Sequence, residues 1–242
     1  MSEGSPSPAA MEAAHELMEK LQKLAASEAR ALIEKQDFGL DRYEGVFGEL
    51  LEDTSDRAAA ITVYALFDDV LLEVFAKYFD PDVPGGVDSI LNPSAFLGAS
   101  SNRLKLAMAL GWITNDVYRH VNILRNVRNR FAHRVDIRSF DDNQISGYIA
   151  SLEHTPAAKN AVSLTADKIK AQSKRTQFIF RSVSTFQRFV LQIAVQPYAM
   201  KFRVNPRYIY GNADEWPRNL YHMLGETEDI ANKLIDTFGA VG

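Results

Sequence analysis

The chain has 242 residues, 46% apolar and 24% charged, with a net charge of −4 and no cysteine, a makeup that predicts one large globular domain, or a domain with a substantial appendage, in the cytoplasm. Without cysteine, disulfides, thiolate nucleophiles and cysteine-ligated zinc are excluded. The five histidines (His15, His120, His133, His154, His222) form neither a His-x3-His pair nor a His-Glu-x2-His motif, so neither a metal site nor a cofactor is expected.

Residues 1–10 are rich in Ser, Pro and Gly, with no basic start and no apolar stretch, and read as a disordered lead rather than a signal peptide. Met11 to Lys35 places Met11, His15, Met18, Leu21, Ala25 and Leu32 on one face, which predicts a long helix ended by Phe38-Gly39-Leu40. A shorter helix follows from Tyr43 to Leu51. Asp53-Thr54-Ser55-Asp56 then carries helix-start signals for Arg57 to Phe79, where Ile61, Tyr64, Ala65, Asp68, Leu71, Leu72 and Phe75 suggest a central element covered on several sides. Asp80 to Gly98 holds three prolines and three glycines and predicts an irregular connection with one short turn near Asp88 to Leu91.

Ser100-Ser101 opens a helix over Asn102 to Leu110, and Thr114-Asn115 opens another over Asp116 to His133. Phe140 to Leu152 reads as a helix, and Leu164 to Gln196 as a long helical stretch that Pro197 should stop. Arg203 to Pro217 is aromatic and irregular, and a last helix is expected near Glu226 to Phe238. No run has the length of a membrane span, so no membrane contact is expected. The fold class is all-α, organised as a lead (1–10), a helical core (11–152) and a C-terminal helical extension packed on that core (153–242).

Charge is unevenly spread. Residues 1–99 carry 7 Lys/Arg against 19 Asp/Glu, whereas 100–138 carry 8 against 2 and 163–218 carry 10 against 3. If the two basic stretches share a side, they form a surface that attracts phosphate despite the acidic total. Alternatively, the acidic and basic parts complement each other across a domain or dimer contact.

The chemistry-bearing run is Arg128-Asn129-Arg130-Phe131-Ala132-His133. Val117, Val121, Leu124 and Phe131 follow the rhythm of a core-facing stripe, and Arg128 occupies its missing slot, where an arginine needs a partner. Three readings compete. The spacing Ala107-x3-Gly111-x5-Val117 fits a helix-turn-helix, which would aim Tyr118, Arg119 and Asn122 at base edges. Metal-independent RNA cleavage needs a proton-exchanging group and a fixed cation, roles suited to His133 and Arg128, with Asn129 assisting. On one helix those two side chains point about 140° apart, so either the helix unwinds near Phe131 or the site is shared across a two-fold dimer. The structural reading makes Arg130, His133 and Arg134 partners of a helix carbonyl end, and joins Arg128 and Asn129 to Asp68 or Asp69.

Arg128-Asn129-x3-His133 at the end of a helix in an all-helical chain resembles the Arg-x4-6-His signature of the HEPN superfamily, many of whose members are RNA-cleaving toxins or defence nucleases. Phe96-Leu97-Gly98-Ala99-Ser100-Ser101-Asn102-Arg103-Leu104-Lys105-Leu106-Ala107-Met108-Ala109-Leu110-Gly111-Trp112-Ile113, followed by Asp116-Val117-Tyr118, is similar to the mannitol operon repressor family over roughly residues 57–140. Its Arg-Leu-Lys-Leu-x3-Leu-Gly block is the most specific part. That resemblance implies a helical regulator acting through contact with another protein. The region from Gln172 to Arg218 has no counterpart in the pattern.

In that region Lys174, Arg175, Arg181 and Arg188 interleave with Phe178, Phe180, Phe186 and Phe189, and Tyr198, Phe202, Tyr208 and Tyr210 follow among further basic residues. Such a pattern suits either a stacking platform for single-stranded nucleic acid or, at the helical spacing of Ile179, Phe186, Phe189 and Ile193, a core. The sequence thus predicts a HEPN-like, mannitol-repressor-like bundle, a homodimer, and a leading function of RNA binding and cleavage in a regulatory or toxin-like setting, with a partner regulator or antitoxin protein. Arg128, His133 and Asn129 are its catalytic candidates, and Arg125, Arg130, Arg134, Lys174 and Arg175 its RNA-binding candidates. The alternative is a noncatalytic, transcription-linked regulator that uses the same helix for protein contacts.

Overall fold

The structure is a computed structural model, and it describes residues 8–35, 43, 46–52, 55–152 and 170–202. All regular structure among them is helical: α1 (Pro8–Glu34), α2 (Val46–Glu52), α3 (Asp56–Tyr78), α4 (Asp88–Leu91), α5 (Ser100–Ala109), α6 (Asn115–His133), α7 (Asn143–Ser151) and α8 (Lys174–Lys201). The predicted ending of α1 at Phe38-Gly39-Leu40, the segment Arg203 to Pro217 and the helix near Glu226 to Phe238 lie outside the described residues.

Local chemistry sets the helix starts. Ser55 caps α3 by accepting from Ala58 N at 3.1 Å, and Asp142 caps α7 by accepting from Gln144 N at 3.0 Å. Thr114 caps α6 through Val117 N. Helix α5 starts without a side-chain cap, because its N-cap residue is Ala99, and the hydroxyl of Ser100 in its first turn is hydrogen-bonded with Tyr64 Oη at 2.9 Å.

Two helices organise the packing. Helix α3 lies against α4, α5, α6 and α8, and α8 lies against α1, α2, α3, α6 and α7. Their shared core is aromatic: the Phe186 ring meets Tyr43, Phe47 and Phe67 with centroids 5.5, 5.5 and 5.1 Å away. Phe140 joins Phe131 to Phe178, and Trp112 is wedged against Phe75 and Tyr78. Each such side chain contributes about 2–3 kcal/mol through burial, so the interleaved phenylalanines of α8 are core, as their spacing allowed.

Two glycines fix the turns around α5. A Cβ on Gly98 would lie 2.3 Å from Asn92 O and 2.6 Å from Pro93 C, so this crossing admits no side chain. Gly111 has φ +70°, the left-handed conformation that closes α5 and turns the chain into α6.

Two expectations are corrected. Helix α8 runs through Pro197 to Lys201 rather than stopping at it. Proline forfeits the bond to the Ile193 carbonyl, a loss of about 3 kcal/mol, but Pro197, Tyr198 and Ala199 are all buried in the bundle, and that burial holds the last turn. In α1 the expected core face is not the seated one: Met11, His15, Met18 and Leu21 are exposed and Ala25 and Leu32 half-buried, whereas Ala26, Ala29 and Ile33 of the neighbouring face are buried in its last turns.

Candidate functional site

Helix α6 buries Val117, His120, Val121, Leu124, Val127 and Phe131. Near its end the buried line steps to Val127, and Arg128 is left half-buried on the shoulder rather than in the core slot that its spacing suggested. There its Nη1 donates to Asn129 Oδ1 at 3.0 Å, and one turn earlier Arg125 Nε donates to Asn122 Oδ1 at 3.0 Å. Both arginines lean over α3, where their charges favour ionisation of Tyr64, and Arg128 also favours that of Asp68. Burial is the larger influence on each and pushes both groups above their ordinary values.

The carboxylate expected for Arg128 is held by another residue. Arg103 of α5, buried, donates to Asp68 Oδ1 through Nη2 at 2.6 Å and Nε at 3.2 Å, and its Nη1 donates to the carbonyls of Leu97 and Gly98. Arg103 belongs to the Arg-Leu-Lys-Leu block, and its place beside Leu104 and Ala107 on the buried face was the available signal. Asp69 is exposed.

The end of α6 is closed by a residue that carried no sequence signal. Arg57 donates through Nη1 to Phe131 O, and through Nη2 to Arg134 O at 3.0 Å and Ile137 O at 3.1 Å, satisfying carbonyls that the helix end leaves open. Arg134 instead forms a two-pronged pair with Asp136 at 3.0 and 2.8 Å. Arg130 is half-buried and His133 exposed. Helix α6 is continuous through His133, so no unwinding near Phe131 brings His133 round to Arg128, and within one chain the two remain about 140° apart.

Next to Arg57, Asp56 accepts from Arg175 Nη1 at 2.8 Å and from Phe140 N at 2.8 Å, while Arg175 Nη2 reaches Leu50 O at 2.6 Å. Arg175 therefore sits at the same end of the bundle as His133 and Arg134, locked to α2 and α3, with Lys174 half-buried beside it. The other arginines of α8 are also engaged: Arg181 is buried on the carbonyls of Ile149 and Leu152, and Arg188 pairs with Asp116. At the opposite end of α6, Gly111 does make the predicted corner and is exposed, but Trp112 and Ile113 after it are buried in the core, Tyr118 packs against that core and Arg119 pairs with Asp116 at 3.3 Å.

Among the described residues no group of three or more His, Asp or Glu side chains is placed to hold a metal ion, and no helix is long and apolar enough to cross a membrane. Residues 44–202 match the mannitol repressor family, and the chain belongs to that family. The match takes in α2 to α8, so the stretch from Gln172 to Phe202, which seemed to lack a counterpart, is part of the family's fold, and α1 lies outside it. No curated protein and no solved structure matches the chain.

Proposed function

We propose that this member of the mannitol repressor family is a noncatalytic, transcription-linked regulator that works through protein–protein contacts, with the Arg125–Arg128 shoulder of α6 as the surface offered to an acidic partner. The observation that carries this reading is the continuity of α6: the helix holds Arg128 and His133 apart, while asparagines of the same helix steady the guanidinium groups of Arg125 and Arg128. Arginine forks presented from a packed helix suit recognition of carboxylates and lose little freedom on binding. HEPN kinship and RNA cleavage form the second reading, which rests on the Arg-Asn-x3-His run and requires a second chain to complete the pair.

The test is a deletion strain of the native host, with transcripts compared in the presence and absence of mannitol. A defined set of transcripts should shift on deletion, return with the native chain, and fail to return with a folded variant carrying Arg125→Glu and Arg128→Glu. An unchanged transcript profile would overturn the regulator. RNA cleavage by the purified chain in EDTA, abolished by both Arg128→Ala and His133→Ala, would replace it with the nuclease.

A further inference from the structure

Helix α1 has 27 residues, about 40 Å of helix at 1.5 Å per residue. Only its last turns are seated, by Ala26, Ala29 and Ile33, and α8 is among the elements it meets. Toward its start a second apolar row, on a different face from Ala26, Ala29 and Ile33, is exposed: Met11, Leu17, Met18, Leu21 and Leu24 are each between 50% and 60% exposed. Together they present roughly 500 Å² of apolar surface, at the upper end of what a monomer shows in one patch.

The spacing assigns these residues to heptad positions. Met11, Met18 and the half-buried Ala25 repeat every seven residues, Leu21 lies three after Met18, and Leu17 and Leu24 form a flanking row, with His15 and Gln22 as the opposite flank. We propose that α1 is a self-association helix, pairing antiparallel with α1 of a second copy of this chain about a two-fold axis near Lys20. Direction follows from the flanks. A parallel pair would set the Leu17/Leu24 row against the polar His15/Gln22 row of the other copy, whereas an antiparallel pair sets leucine on leucine, Leu17 of one copy meeting Leu24 of the other.

The charged residues fit this arrangement. Glu12, Glu16, Glu19 and Lys23 lie on the far side of the helix, where Glu19 and Lys23 are paired at 2.8 Å, whereas Glu28, seven after Leu21, closes the end of the seam opposite Met11 of the other copy, at its solvent-exposed rim. Two copies bury roughly 1,000 Å² of apolar surface, the threshold of a specific interface. Helix α1 lies outside the family match, so this contact is an addition to the mannitol repressor core and does not depend on the α6 surface.

The absence of cysteine makes a direct test available. The mass of the full chain, followed by analytical ultracentrifugation at micromolar concentrations, should be that of a dimer, and a variant with Leu17→Glu and Leu24→Glu should be a monomer with unchanged helix content, since both side chains are exposed. On oxidation, an equal mixture of Met11→Cys and Glu28→Cys chains should cross-link between the two variants, while Met11→Cys alone should not cross-link. A native monomer, or a dimer that survives the two glutamates, would overturn the proposal. Self-cross-linking of Met11→Cys would overturn the antiparallel pairing. A native monomer that dimerises once residues 203–242 are removed would assign the stripe to the chain's own C-terminal segment instead.

Discussion

The Arg103 guanidinium lies 2.6 Å from Asp68 Oδ1 across the junction of α3 and α5, and it also holds two carbonyls of the loop that leads into α5. Burying an ion pair is costly, but removing one partner leaves the other charged and desolvated. Because Asp68 keeps 29% of its side chain exposed, Arg103→Ala is expected to lose about 1.5–3 kcal/mol, the range for hydrogen bonds to a charged group, measured by urea unfolding. Arg103→Lys should recover only part of it, because an ammonium cannot address the carboxylate and both carbonyls as a planar fork does. A loss below about 1 kcal/mol would mean that the pair does not organise this junction.

Arg57 has an equally local role with a different readout. Arg57→Ala should cost about 1.5–3 kcal/mol, the range for hydrogen bonds to a charged group. Hydrogen exchange should quicken in the last turn of α6, around Phe131 to Arg134, and leave its first turns unchanged. Uniform acceleration along α6 would contradict a capping role.

Asp116 and Asp68 should give opposite pH slopes. Hydrogen bonding from Arg188 in the first place, helped by the charges of Arg188 and His120, holds the Asp116 carboxyl below 3.8. Its stabilisation is therefore complete above the unfolded value and lost as pH falls through the folded one. Burial holds the Asp68 carboxyl above 3.8 despite Arg103. The stability linked to its protonation is complete below the unfolded value and is lost as pH rises through the folded one. Asp116→Asn should flatten the fall in urea midpoint below about pH 4, and Asp68→Asn should flatten a decline above that point. Slopes of the same sign in the two variants would refute this assignment.

Gly98 and Gly111 should differ in what relieves their substitution. Alanine at Gly98 meets backbone atoms of Asn92 and Pro93 that cannot yield locally, and a loss of about 3 kcal/mol or more is expected. Alanine at Gly111 meets the tip of Met200 at 2.7 Å and also requires φ +70°, a cost of about 1–2 kcal/mol. Met200→Ala should rescue part of the second loss and none of the first, as read by thermal unfolding of the double variants.

Much of the fold was legible because helix starts and periodic faces are local properties. Ser55 and Thr114 announce α3 and α6, and the spacing of Val117, Leu124 and Phe131 marks the buried side of α6, whereas α7 begins at Asn143, capped by Asp142, rather than at Phe140. The site was less legible, because its deciding contacts join residues distant in sequence. Nothing around Arg57 shows that it binds the carbonyl of Phe131, 74 residues later, in the last turn of α6, and Arg103 sits in a basic-apolar block whose lysine and arginine look alike until one is buried. Pro197 misled for a related reason: a proline ends a helix on local grounds, but burial of its neighbours is a tertiary quantity.

Helix α8 also imposes an order on synthesis. Asp56 waits for Arg175 across 119 residues and Asp116 for Arg188 across 72, and Phe67 acquires its partners Phe186 and Phe189 only when α8 arrives. As the chain leaves the ribosome, α3 and α6 therefore emerge with their apolar faces uncovered, and such faces are open to wrong partners. A chain that stalls after Leu152 carries every helix among the described residues except α8. Late arrival of α8 makes its docking, rather than formation of any earlier helix, the step that covers these faces.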